Sequence, residues 1–242
     1  MGRIVWIGLT LGLLVAGPVA AQDFSISLGD DGSLATRSIQ LMLLITVLSL
    51  VPGILIMVTC FPYIVTVLAI LRQAIGLQQS PPNMLMVSLA LFLTYFVMEP
   101  VFMVAWTTAI EPAMNAGMPL DEAFVKAIAP FREFMTGRIE PDTFEALAAL
   151  RPELAAQTPI AEAPLSVLVP SFLLSEISRA FQIGFLIFLP FLIIDLVVAA
   201  ILMSMGMMMV PPAIVSLPFK LAFFVVADGW SLIAASLVRS YF

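Results

Sequence analysis

The sequence contains no histidine, a single cysteine (Cys60) and few charges, since only 11% of its 242 residues are Asp, Glu, Lys or Arg. Without histidine, the chain cannot assemble a Ser-His-Asp triad, a Cys-His dyad or a histidine-containing zinc site. One cysteine excludes a disulfide within the chain, and a lone cysteine is more often a small buried apolar residue than a nucleophile. We therefore predict no enzyme activity, no cofactor and no metal.

Basic residues are also scarce. The chain has 10 Lys and Arg against 16 Asp and Glu, which gives a formal net charge of −6. Binding to nucleic acid requires clustered cations that neutralise phosphates, and the sequence has no basic patch of that kind. We therefore exclude nucleic acid as a partner.

Apolar residues are abundant instead: 62% of the chain is hydrophobic and its mean hydropathy is +1.11. A bilayer core about 30 Å thick is crossed by a helix of roughly 20 mostly apolar residues. Several stretches of the sequence have that length. The sequence predicts an all-α integral membrane protein.

The N-terminus is typical of a cleavable signal peptide, residues 1–21. Arg3 precedes a short apolar run, and small residues precede a predicted cut after Ala21. An uncleaved anchor helix is the alternative, against which the short apolar run and Pro18 count. Cleavage would leave the new N-terminus outside the cytoplasm, followed by a polar extracytoplasmic lead over residues 22–38.

The rest of the chain predicts two helical hairpins broken by prolines, with about four apolar segments in all. The first hairpin covers residues 39–110, and the second covers residues 165–242. Between them, residues 111–164 carry nine acidic and four basic residues and many prolines. We predict that this acidic segment is a small extracytoplasmic insert with short helices over residues 120–128 and 141–150.

Ionisable side chains inside apolar runs indicate sites of function or assembly, because an unpaired charge is costly in hydrocarbon. Five such residues stand out: Glu176, Arg179, Asp195, Lys220 and Asp228. Glu176 and Arg179 are three residues apart, so they can neutralise each other on one helix face or pair with a neighbouring subunit. Asp195 has no cation within four residues and must face a polar interior, a partner helix or be protonated.

The second hairpin contains five methionines within the seven residues 203–209, just before Pro211-Pro212. Methionine side chains are flexible and polarizable, so they fill irregular gaps and can reseal around a passing object. Such a run elsewhere would be an apolar helix end. Here Gly206 and Pro211 predict a loop that presents Met207, Met208 and Met209 together.

These features resemble the FliP family of flagellar and type III secretion export-gate proteins. The matching segments run in order from Pro52 to the C-terminus, outside most of the acidic insert. They are Pro81-Pro82-Asn83, Leu89 to Thr94, Ser175-Glu176, Ala180 to Gly184, Pro190 to Val197, Gly206 to Pro212, Leu217 to Lys220, and Asp228-Gly229-Trp230.

The resemblance implies a non-enzymatic subunit of a pentameric ring in the bacterial inner membrane, at the flagellar basal body. The ring would include two smaller export-gate membrane proteins, meet a larger membrane protein of the apparatus and pass unfolded flagellar proteins. In that family the methionine loop forms a gasket around the pore, which would fall to Met207, Met208 and Met209 here. It also implies that the hairpins need not span the bilayer conventionally after assembly. The signal peptide favours the flagellar branch over the injectisome branch.

A secondary transporter for a small solute is the alternative. Broken helices, a buried acid at Asp195 and a faint repeat between the two hairpins are found in such transporters. An intramembrane hydrolase is poorly supported, because Asp195 and Asp228 lack any local catalytic motif.

Overall fold

The computed structural model describes residues 34–77, 80–115, 117–151 and 159–242. These residues form helices and turns and contain no strand. The chain divides into two units, Met1–Ser49 and Leu50–Phe242. The predicted signal peptide, residues 1–21, and most of the polar lead lie outside the described residues.

Helix α1, Leu34–Met57, begins inside the segment assigned to the polar lead and continues through Pro52. After a break at residues 58–60, helix α2 covers Phe61–Ile75, with Pro62 in its first turn. Proline is tolerated there because the first helical N–H groups have no intrahelical partner. The apolar run from residue 39 to residue 71, which is too long for one crossing, is therefore broken into two helices next to Pro62.

Helix α3 covers Asn83–Ala105 and continues through a π-helical turn, Trp106–Ile110, to a last α-helical turn, Glu111–Asn115. The apolar helix thus ends five residues beyond residue 110, where the sequence placed the end of the first hairpin. Gly76, with a φ of 89°, ends α2 in the left-handed conformation that glycine adopts without strain. Arg72 closes this turn by donating hydrogen bonds to Pro81 O and Asn83 Oδ1.

The acidic insert contains α4, Leu120–Thr136, and α5, Pro141–Ala148, followed by a 3₁₀ turn, Ile160–Glu162. The helix expected over residues 120–128 is thus longer than predicted. Arg132 donates to the carbonyl oxygens of Ala161 and Ala163, which holds the 3₁₀ turn against α4. Met135, Phe144, Leu168 and Phe172 form a small separate core that packs the insert on the start of the next long helix.

Helix α6, Leu165–Ser204, is 40 residues long and continues through Pro170 and Pro190. Helices α7, Pro212–Val226, and α8, Gly229–Arg239, follow it and meet at a bend of 62°. By length and composition, α1, α3 and α6 can each cross a membrane, and the bent pair α7–α8 can form a fourth crossing. The predicted fold class, all-α with about four apolar helical segments, is confirmed.

Helix α2 lies at the centre of the main core and packs most extensively on α6. The close approach depends on Gly184, because a Cβ built there would lie 2.4 Å from Ile70 Cδ1 and 3.2 Å from Ile70 Cβ. Ala180, one turn earlier, is fully buried. Small residues spaced by four let helix backbones approach in membranes, which explains this crossing.

Candidate functional site

Asp195 of α6 forms an ion pair with Lys220 of α7. Lys220 Nζ lies 2.6 Å from Asp195 Oδ2 and also donates to Ala74 O at 3.2 Å. Ser216 Oγ donates to Asp195 Oδ1 at 2.5 Å. Three helices therefore meet at one ion pair.

The Ala74 carbonyl belongs to the last turn of α2, where carbonyl groups have no partner within the helix. The Lys220 ammonium donates a hydrogen bond to this carbonyl. A positive charge is favourable there, because the C-terminal end of a helix carries the negative end of the helix dipole. The lysine side chain is only 8% exposed, against 32% for Asp195. The cation is thus the more strongly desolvated member of the pair.

Glu176 is the centre of a second polar cluster and is fully buried. Its Oε1 accepts hydrogen bonds from Arg138 Nε at 3.0 Å and from Arg179 Nη1 at 3.2 Å, and its Oε2 accepts one from the Tyr241 hydroxyl. The partners come from the acidic insert, from α6 itself and from the C-terminus. One carboxylate thus fixes three parts of the chain, and its two arginines leave the cluster with an excess positive charge.

Tyr241 makes several aromatic and cation–π contacts at this cluster. Its ring stacks on Phe134 at 5.9 Å between centroids and meets Tyr63 edge-on at 5.6 Å. The Arg138 guanidinium lies 4.1 Å from the ring centroid, a cation–π contact. Burial and the nearby Glu176 carboxylate raise the pKa of Tyr241 above its ordinary value, so the hydroxyl remains a donor at neutral pH.

Glu176 and Asp195 both lie on α6, and a rise of 1.5 Å per residue separates them by about 28 Å. That distance is close to the hydrocarbon thickness of a bilayer, about 30 Å. Arg138 Nη1 donates to Ser240 O at 2.9 Å, so the insert and the C-terminus share the Glu176 end. The turn after α2 and the methionine loop lie at the Asp195 end, because Ala74 and Ser216 are there.

The methionines lie where α6 ends. Gly206, with a φ of 76°, turns the chain out of the helix, and α7 begins at Pro212. The side chains of Met207, Met208 and Met209 are 43%, 81% and 98% exposed. Three apolar side chains thus project from one loop, and no residue in the described parts of the chain covers them.

Asp228 takes part in neither cluster. It lies at the bend between α7 and α8 with a φ of 48°, and its side chain is exposed and does not cap α8. Gly229 follows it against the Phe224 ring, where a Cβ would lie 2.2 Å from a ring carbon. The Asp228-Gly229-Trp230 segment therefore shapes a bend in the helix pair.

Sequence reasoning placed Glu176 with Arg179 from their spacing, and the structure brings them together. It missed Arg138 and Tyr241, which are 38 and 65 residues away from Glu176. It also left Asp195 without a named partner, although Lys220 was singled out separately. The available signal was charge balance: three acids and three bases inside the second hairpin favour pairing across helices.

Acidic and cysteine side chains in the described parts of the chain form no group that would hold a metal ion. A model of the FliP family matches residues 44–237, most of the chain. The chain belongs to the FliP family. The family resemblance drawn from the proline, Met-loop and Asp-Gly-Trp segments is thereby confirmed.

Individual members of the FliP family are similar over nearly their whole length. The chain is 50% identical over 233 residues to the flagellar biosynthetic protein FliP of Caulobacter vibrioides, which covers 95% of this chain and 86% of that protein. It is 46% identical over 211 residues to FliP of Bacillus subtilis, with coverage of 87% and 95%. For FliP of Aquifex aeolicus the identity is 44% over 235 residues, with coverage of 96% and 98%.

Proposed function

We propose that this FliP-family chain is a pore-forming subunit of the flagellar type III protein export gate. It would lie in the bacterial inner membrane at the flagellar basal body and pass unfolded flagellar proteins. Met207, Met208 and Met209 would form the gasket that closes the pore between substrates. The observation that carries the proposal is the loop itself: three uncovered methionines at the end of a helix that is long enough to cross a membrane.

The side-chain chemistry supports closure by this loop. A thioether chain has three rotatable bonds and no charge, so several copies can fill an irregular opening and exclude hydrated ions. Gly206, with its positive φ, and Pro211-Pro212 bound the loop on its two sides, and the three methionines lie between them. The role requires several copies around one axis, because one loop cannot enclose a hole.

Assembly into a homo-oligomer, pentameric as the family resemblance implies, is part of the proposal. So are two smaller membrane proteins and a larger one of the export apparatus as partners. Many large apolar side chains on α3 and α6 are exposed, among them Phe92, Phe96, Phe181 and Phe185. Surfaces of this kind need lipid or protein neighbours.

The two polar clusters serve assembly in this proposal. Glu176 and Arg179 would hold the acidic insert, residues 111–164, on the extracytoplasmic side, and Asp195 and Lys220 would hold the hairpins together near the methionine loop. Asp228 would set the bend that lets α7 and α8 follow neighbouring subunits. The solute-transporter alternative loses support, because the Asp195 carboxylate is engaged by Lys220 and Ser216.

The test is a triple variant, Met207→Ala, Met208→Ala and Met209→Ala, in the assembled complex. We expect a higher ion conductance across membranes that contain it, because alanine cannot fill the opening, while native gels show complexes of full size. The matched control replaces three exposed methionines of α3, Met84, Met103 and Met114, by alanine. An unchanged conductance in the loop variant, or an equal leak in the control, would remove the gasket role.

A further inference from the structure

A groove of about 530 Å³ lies between α3 and α8, on the outer surface of the helices. Its walls are apolar and come from Leu93, Phe96, Ala234, Ala235, Val238 and Phe242. The two adjacent alanines create the space, because their side chains stop at Cβ where neighbouring positions carry larger groups. Phe96 is 59% exposed along one wall.

One wall belongs to α3, which can cross a membrane, and the other belongs to α8, which can do so only together with α7. The groove therefore opens toward the acyl chains of a bilayer. Filling this apolar groove with water would be unfavourable, whereas filling it with a hydrocarbon chain would remove its apolar surface from water. An extended hydrocarbon chain fits a narrow slot between two helices.

Arg239, in the last turn of α8, lines the groove together with Phe242 toward the C-terminus. Within the described parts of the chain, its exposed guanidinium has no ion pair and no side-chain hydrogen bond. A guanidinium presents several N–H donors in a planar fork that matches the oxygens of a phosphate. This end of the groove thus offers an unused phosphate-binding group.

The position of Arg239 along the membrane normal follows from its neighbour. Ser240 O accepts a hydrogen bond from Arg138, which follows α4 of the acidic insert after Gly137. Arg239 therefore lies at the height along the membrane normal where the apolar helices meet the acidic insert. The groove extends from there along α3 and α8. Phospholipid headgroups occupy this level in a bilayer, and arginine is favoured there.

We propose that this groove, the lipid groove, binds one phospholipid, with an acyl chain along Ala234 and Ala235 and its phosphate on Arg239. The charge complementarity at one end and the apolar walls at the other match the two parts of that molecule. The proposal concerns the outer surface of the helices and stands whether or not the methionine loop closes a pore.

The test is native mass spectrometry of the assembled complex with two added lipids of equal acyl chains. Phosphatidylglycerol carries a phosphate, and digalactosyldiacylglycerol does not. We expect Ala235→Phe to lower retention of both lipids several-fold, since the ring fills the groove. Arg239→Gln should lower retention of phosphatidylglycerol about tenfold and leave the glycolipid unchanged.

Two control variants carry the same kinds of change elsewhere. Ala200→Phe places a ring on the exposed surface of α6, and Lys126→Gln removes an exposed cation of the insert. Both should retain lipid like the unaltered complex, and thermal melting should show that all four variants are folded. Unchanged lipid retention in Ala235→Phe would overturn the proposal. So would a loss of oligomer in Ala235→Phe without a change in bound lipid, which would make the groove a contact between copies.

Discussion

Lys220 Nζ lies 2.6 Å from Asp195 Oδ2, although 25 residues separate the two in sequence. The pair joins α6 to α7, and the second hydrogen bond of Lys220, to Ala74 O, adds α2. A charge in this apolar environment is tolerated because the opposite charge is in contact with it. Removing one partner therefore leaves the other as an unpaired charge in an apolar environment.

Replacing Asp195 by alanine should cost more stability than replacing Lys220 by methionine. The first change leaves a lysine that is only 8% exposed without its counter-ion, whereas Asp195 is 32% exposed and keeps the Ser216 bond. We expect a loss of about 1–3 kcal/mol for Asp195→Ala, the usual cost of an unsatisfied buried group. Thermal melting in detergent measures it.

The double variant, Asp195→Ala with Lys220→Met, should recover part of that stability, because no charge is left unpaired. We also expect Asp195→Ala to reduce assembly before it alters conduction. Full-size complexes of the single variant on native gels would contradict this prediction.

Replacing Arg138 by methionine should loosen the acidic insert. The change removes the bond to Glu176, the bond to Ser240 O and the contact with the Tyr241 ring. Limited proteolysis should then cut within residues 137–140 several times faster. Lys126→Met is the control, because among the described residues Lys126 pairs with Glu122 alone, on an exposed face. Equal cleavage rates in both variants would show that the Glu176 cluster does not hold the insert.

Replacing Gly184 by alanine should destabilise the protein by about 1–3 kcal/mol, the usual cost of overpacking a core. The new Cβ would lie 2.4 Å from Ile70 Cδ1. Adding Ile70→Ala should restore much of the melting temperature, since it removes the opposing side chain. Gly53→Ala is the matched control, because no heavy atom from another described part of the chain lies within 4 Å of its Cβ position. A control that loses as much stability as Gly184→Ala would refute the packing argument.

Replacing Asp228 by glycine should raise stability slightly, by up to about 1 kcal/mol, since glycine adopts the left-handed conformation without steric cost. Asp228 has a φ of 48° and its side chain makes no cap on α8. Asp228→Ala keeps the steric cost and should not gain. Melting temperatures that rank alanine above glycine would mean that the side chain, and not the backbone, sets the bend.

The all-α class and the approximate number of apolar membrane segments could be predicted from the sequence, because long apolar runs bounded by prolines and glycines leave few options in a membrane. The break before Pro62 follows from the same reasoning. Helix ends were less certain: α3 continues past residue 110 into Glu111–Asn115, and α6 continues through Pro170 and Pro190. Neighbouring helices can compensate the hydrogen bonds that proline removes, and this compensation is not visible in the sequence.

Some contacts of the two polar clusters could be predicted from the sequence and others could not. Glu176 and Arg179 could be paired from sequence, because their spacing is a property of one helix. The contacts of Arg138, Tyr241 and Lys220 depend on how separate helices pack, which the spacing of residues along the chain does not specify. The exposure of Met207, Met208 and Met209 followed from Gly206 and Pro211, which act locally.

The length of α6 has a consequence for where the chain can meet water. Its 40 residues extend about 60 Å, twice the thickness of the acyl-chain layer. Even when tilted by 40°, a sizeable part of α6 would lie outside that layer. Exposed side chains such as Leu174, Phe185 and Ile201 are spread along it. From Leu174 to Ile201 they extend over about 40 Å, so an upright helix in a single copy outside a larger particle would leave some of them in water and would be prone to aggregate.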